Sequence, residues 1–202
     1  MKMLQEIRNV TDGMSTADTL RYLLKERFPG EVAVTASLKS PSIVVLKLIS
    51  EIDPSTQVFF CQPQPAFRES ETYRAEIVDL LGLTNVQIIA HSDALTGAHA
   101  FERCEWLWNE AAARGKTREA MHLNDTLAPY KCWIKAAYHE PPSGLHQLDV
   151  YAGMVIVNVL LGRTTQTIDR FMHAHGLPYH PKITPAKKQA ALPDGPVIHY
   201  QF

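Results

Sequence analysis

Apolar positions fall into two recurring patterns along the first 90 residues. Compact runs rich in β-branched and aromatic residues, EVAVTA (31–36), QVFFC (57–61) and NVQIIA (85–90), read as buried strands. Between them lie segments with helical spacing. In STADTLRYLLKERF (15–28), Leu20, Leu23, Leu24 and Phe28 recur on one side. Ser15 or Thr16 is placed to cap that helix, and Pro29-Gly30 stops it. Residues 42–51 predict a buried helix, and 68–82 an amphipathic helix closed by Gly82. Asp53-Pro54-Ser55 is a turn, and the prolines of QPQPAF (62–67) keep that stretch out of helix. Strand alternating with helix three times predicts a parallel sheet with crossover helices, an α/β fold.

The pattern is weaker in the second half. Helices are expected over 97–113 and 126–139, and short strands in DVYAG and VIVNVL on either side of Gly153. A helix is expected over 164–176, with Thr164 or Thr165 as cap and Gly176 at its end. The last residues, from LPYHPKI on, are rich in Pro, Lys and Ala and have little periodicity. The expected organisation is one α/β domain over 1–176 and a C-terminal arm over 177–202, lying on the domain or on a partner.

Composition narrows the function classes. Net charge is −1, so no strong field draws the chain to nucleic acid or to a membrane surface. No apolar run approaches the roughly 18 residues that span a bilayer. Charges interrupt the apolar residues of MKMLQEIRNVTDG, which is unlike a signal peptide. Cys61, Cys104 and Cys132 are far apart and odd in number, which argues against a disulfide framework. A cytoplasmic location is expected.

In an open parallel sheet, ligands sit beyond the carboxyl ends of the strands. The loops 35–42, 61–67 and 90–96 reach that place. SLKSPSIVVLKLI (37–49) resembles the nucleotide loop and following helix of the phosphoadenylyl-sulfate (PAPS) reductase family, which reads roughly S-F-G-A-E-D-V-V-L-L-H-L-V. IDPSTQVFFCQPQPAFRESETYR (52–74) resembles that family's I-D-P…V-F-F-L-D-T-G…F-x-E-T-Y-R. VNVLLGRTTQTI and HGLPYHP (175–181) resemble its I-N-P-L-x-x-W-T and N-x-L-P-Y-H-P segments. The resemblance runs from about residue 30 to 181. It implies the adenine-nucleotide α-hydrolase-like (Rossmann-like) fold, binding of an adenylyl nucleotide or sulfonucleotide, and a thioredoxin-like thiol donor as partner. It also implies nucleotide contacts at Thr35, Ser37, Lys39, Ser40, Ser42, Gln62, Gln64, Lys135 and His180.

The sequence departs from the family pattern at several places. Lys39 stands where the family has a loop glycine, and Ser42 where it has an acid. Gln62-Pro63-Gln64 replaces D-T-G, and DVYAGM (149–154) has no arginine where the family's R-R-x-Q lies. The E-C-G-x-H cysteine motif is absent after Cys132. YKCWIK (130–135) resembles the C-C-x-x-R-K segment of iron–sulfur members, with Cys132 on the second cysteine and Lys135 on the arginine. The other three cluster cysteines are missing, so no iron–sulfur cluster is expected.

Cys132 therefore stands as the candidate nucleophile, with Lys131 and Lys135 placed to lower its pKa. The same residue also reads as a small buried hydrophobe on a helix, beside Trp133 and Ile134. Cys61 ends a buried strand at the carboxyl edge, where it faces a ligand or packs. Lys39 either offers an ammonium to a phosphate or points into solvent. His173 and His175 project to different sides of a helix, and with His180 they form no convincing metal set. Phe101, Trp106 and Trp108 suit core or dimer packing, and a homodimer is expected. Two functions remain: a thiol-dependent reductase of sulfonucleotides, or a relative that binds a nucleotide or a protein partner without turnover. A nucleotide-activating ligase of the same fold would need an S-G-G-x-D-S loop that ASLKSPS does not provide.

Overall fold

The β-branched and aromatic runs pair into a single six-stranded sheet in the computed structural model, which describes residues 2–63, 67–91, 126–136, 148–151 and 153–182. The strands are β1 (Val32–Ala36), β2 (Gln57–Pro63), β3 (Val86–His91), β4 (Cys132–Lys135), β5 (Leu148–Tyr151) and β6 (Met154–Asn158). Their order is β3-β2-β1-β4-β6-β5. All neighbours pair in parallel except β5 and β6, which are antiparallel. The chain steps outward from β1 to β3 and then resumes on the other side of β1. The switch point of the sheet thus lies between β1 and β4.

Alternation along each strand splits the sheet into two faces. Val32, Val34, Ala36, Val58, Phe60, Cys132, Ile134, Val155 and Val157 join the main core. Ala33, Phe59, Ile89, Trp133 and Ile156 form a second cluster with Leu127 on the other face. Phe60 is 1% exposed, and a full burial of that kind contributes roughly 2–3 kcal/mol.

The main core is closed by helices α1 (Lys2–Thr11), α2 (Thr16–Arg21), α3 (Ser40–Ile52), α4 (Arg68–Leu80) and α5 (Thr165–Ala174). Ser15 caps α2 by accepting the Asp18 N–H at 3.1 Å, as its composition suggested. α2 continues as a π-helical stretch, Tyr22–Arg27, that keeps Leu23 and Leu24 buried. Thr164 caps α5 by accepting the Thr167 N–H at 3.2 Å. Gly176 follows α5 with a φ of 59°, a conformation that a side chain disfavours.

One expectation is overturned. The helix expected over 126–139 contains the strand β4 instead. Cys132, Trp133 and Ile134 are contiguous and apolar because this strand is buried on both faces. Such a run carries no period that separates strand from helix. α1 was not foreseen, although Met3, Leu4 and Ile7 pack against or within the core at helical spacing. The helix expected over 97–113, with Cys104 and the aromatic cluster, lies outside the described residues. Of the C-terminal arm, residues 177–182 pack on the domain, with Leu177 and His180 buried, and the remainder lies outside the described residues.

Candidate functional site

Two serines close the first loop at the carboxyl end of β1. Ser42 Oγ accepts the Ser37 N–H at 3.0 Å and lies 3.1 Å from Ser37 Oγ. Ser37 Oγ in turn accepts the Lys39 N–H at 3.4 Å. Lys39 is the N-cap residue of α3, and its carbonyl accepts the N–H groups of Ser42 and Ile43. Pro41 sits in the first turn, where a missing N–H costs nothing. The loop is therefore held tight by hydroxyls, without the flexibility of glycine. It delivers the N-terminus of a 13-residue helix to the switch point, and the first turn of that helix carries no acid. Partial positive charge at a helix N-terminus favours an anion.

A polar row crosses the second face of the sheet at the same level. Val34 pairs with Ile134, which sets Thr35 beside Lys135, and Lys135 pairs with Asn158. Trp133 lies under this row. Its indole N–H donates to Thr35 Oγ1 at 2.8 Å, and Lys135 Nζ lies 4.8 Å from its ring centroid. Lys135 is only 8% exposed. Burial pulls its ammonium down to about 8, opposed by the nearby Asp149 carboxylate. Its charge is thus conditional near neutral pH. Cys61 is half-buried in β2, which runs two residues further than expected, to Pro63, and its Sγ lies 3.8 Å from Phe59 O. By strand alternation it shares the face of Phe59, and by register it is level with Ser37.

Of the predicted positions, Thr35, Ser37, Lys39, Ser40 and Ser42 lie along the carboxyl end of β1 and the start of α3, and Lys135 ends the neighbouring strand β4 with its side chain on the second face. Gln62 lies in β2 in register with Ala90. Gln64 lies outside the described residues. Asn158 was missed, although it is the polar residue that interrupts VIVNVL. It is fully buried at the end of β6.

Cys132 and His180 are placed differently. Cys132 opens β4, at the amino end of the strand, and its side chain is fully buried in the main core. Burial pushes its thiol up to about 12. The flanking lysines do not reach it: Lys131 pairs with Glu31 at 2.6 Å, and Lys135 lies on the opposite sheet face. Of the two readings of this residue, the packed hydrophobe matches its position.

His180 joins the chain's C-terminal segment to α4. Its Nδ1 accepts the Lys182 N–H at 3.1 Å, so its Nε2 carries the proton that it shares with Ser70 Oγ at 3.0 Å. Tyr73 O–H donates to Pro178 O at 2.7 Å, and Lys182 pairs with Glu69 at 2.9 Å. The two stretches FRESETYR and LPYHPK therefore bind each other. Among the described residues no three His, Cys, Asp or Glu side chains gather as a metal site, and no helix is long and apolar enough to cross a membrane.

No family model matches the chain. Its curated relatives include an adenosine 5'-phosphosulfate reductase from Mesorhizobium japonicum, 28% identical over 166 residues, which cover 79% of this chain and 63% of that protein. A phosphoadenosine 5'-phosphosulfate reductase from Alkalilimnicola ehrlichii is 25% identical over 190 residues, covering 88% and 75%. The chain spans less than two thirds of the length of the first of these relatives. Among solved structures, a PAPS reductase from Candida auris in a phosphate complex aligns with a TM-score of 0.64 at 14% identity, over 89% of each chain. An NH3-dependent NAD synthetase from Campylobacter jejuni aligns with a TM-score of 0.52 at 12% identity, over 86% of this chain and 74% of its own. At such identities the structural likeness speaks for the fold alone, a mostly parallel, Rossmann-like α/β sheet flanked by helices.

Proposed function

We propose that this chain, a divergent member of the PAPS reductase family, binds an adenylyl sulfonucleotide at the carboxyl edge of β1 and β4 and directs its sulfonate to a thiol. The observation that supports this reading is the serine-closed loop with the N-terminus of α3 at the carboxyl end of β1, next to the end of β4 that carries Lys135. The helix end and the buried ammonium suit the anionic part of such a ligand, and Lys135 takes over work that arginines do in the family. Thr35, held by Trp133, and Ser37, Lys39, Ser40 and Ser42 line the approach.

In reductase chemistry of this class a thiolate attacks the sulfonate sulfur. An S–S bond forms as the S–O bond to the phosphate breaks, and the nucleotide leaves with the electron pair. A second thiol then attacks the sulfur of the first. That step forms a disulfide and releases sulfite, the two electrons coming from the two thiols. A thioredoxin-like dithiol fits as the donor. Cys132 is left out of this scheme by its burial. The first thiol is Cys61, at the carboxyl edge, or belongs to the donor itself. No iron–sulfur cluster enters the reading, because the three cysteines of this sequence fall short of the four thiolates that a cluster takes.

The test is sulfite release from PAPS or adenylyl sulfate with a dithiol donor, run with the wild type and with Cys61→Ser. Sulfite above a heat-killed control supports the reading, and its loss in Cys61→Ser assigns the first thiol to Cys61. Nucleotide binding without any sulfite would reduce the chain to a binding protein. The homodimer expected from the sequence predicts twice the 22.7 kDa chain mass by light scattering.

A further inference from the structure

The contact between residues 177–182 and α4 rests on a single imidazole used in one protonation state. His180 is 3% exposed, and its partner Ser70 is 1% exposed. Nδ1 has to remain an acceptor, because the backbone N–H of Lys182 points at it from 3.1 Å. Nε2 then donates to Ser70 Oγ, so the pair does not activate Ser70 as a nucleophile. His180 and Tyr73 also pack with their rings near-perpendicular, centroids 5.1 Å apart and planes at 79°. Tyr73 binds Pro178 O, two residues before the histidine. A second proton on the ring would set Nδ1–H against the Lys182 N–H, donor against donor.

We propose that His180 is a proton-operated latch that holds residues 177–182 on α4 when neutral and lets them go when protonated. The latch sets how firmly residues 177–182 are held beside the first turn of α4. The inference stands on hydrogen-bond geometry and does not rest on the proposed substrate.

The charged neighbours oppose one another. Glu69 on α4 favours the protonated ring, and Lys182 on the segment itself disfavours it. These two also pair with each other at 2.9 Å, which leaves desolvation as the larger influence. Burial holds the ring below its ordinary value of 6.5. A base with a depressed folded-state pKa contributes stability that is complete above its unfolded value and is lost as pH falls through the folded one. The latch is therefore closed above about pH 6.5 and weakens below it.

Hydrogen exchange of the Lys182 amide, corrected for intrinsic rates, reads the latch in the full chain. Between pH 7.5 and 5.5 its opening is expected to rise by up to about tenfold, the ratio for an open-state imidazole of pKa about 6.5. Amides of α3 measured together should hold, which separates the latch from global unfolding. His180→Asn keeps an acceptor, since an Asn side-chain oxygen binds the N–H two residues on without titrating. That variant should protect Lys182 equally at both pH values. Wild-type protection that does not change with pH overturns the proposal, and so does a tenfold response retained in His180→Asn.

Discussion

Iodoacetamide offered to the folded chain is expected to leave Cys132 almost untouched. The thiolate is the reactive form, and burial places this thiol at about 12 in place of its ordinary 9.0. Below both values that difference leaves about a thousandfold less thiolate. The side chain is also fully enclosed among Val32, Ile134 and Val155, so the reagent needs an opening of the sheet to reach it. Cys61 is half-buried at the carboxyl edge and is not fully enclosed. Mass spectrometry of peptides after timed alkylation at pH 7.5 separates the two thiols. Denatured chain in guanidinium supplies the reference rate for each. Modification of native Cys132 within tenfold of its denatured rate would refute the placement and restore it as a candidate nucleophile. With Cys132 buried as described, replacing it by Ala should cost stability, roughly 1–2 kcal/mol for a small cavity, and leave any sulfite release intact.

Ser42→Ala removes the hydroxyl that closes the first loop, leaving the part-buried Ser37 N–H without its acceptor. A cost of about 1–3 kcal/mol is expected, read as a fall in Tm of about 2–4 °C per kcal/mol, together with weaker nucleotide binding. Lys135 is charged below about 8 and neutral above it, so anion affinity should be strongest below pH 8 and decline as pH rises through it. Lys135→Met should weaken binding and flatten that pH profile in calorimetry. Tyr73→Phe deletes the 2.7 Å bond to Pro178 O, with an expected loss of about 1 kcal/mol in thermal unfolding and no change in Cys61 alkylation.

The first half of the fold was legible because its strands and helices carry opposite periodicities within short windows. The β1 to β3 runs and the helices between them are found within one to two residues of where the pattern put them. Ser15, Thr164 and Gly176 marked their helix ends because caps and positive φ have local chemical signatures. β4 was misread because a strand buried on both faces loses its period. The order of the sheet was not legible at all. Whether β4 pairs with β1 or with β3 depends on long-range burial, which no local window contains.

The site divides along the same line. The loop Ser37 to Ser42 could be located from sequence because it lies between one strand and one helix. The neighbourhood of Thr35, Lys135 and Asn158 exists only through the β1–β4 and β4–β6 registers. His180 was expected beside the ligand because its segment resembles a family motif. In the structure its segment is held by α4, through the motif's other half, FRESETYR.

Calorimetric titration of the wild-type chain with PAPS, adenylyl sulfate, ATP and AMP, without reductant, tests the central claim most directly. Binding of a sulfonucleotide in the micromolar range, about −8 kcal/mol, weakened in Lys135→Met, is the predicted result. No binding of any of the four would contradict the assignment of the carboxyl edge as a nucleotide site.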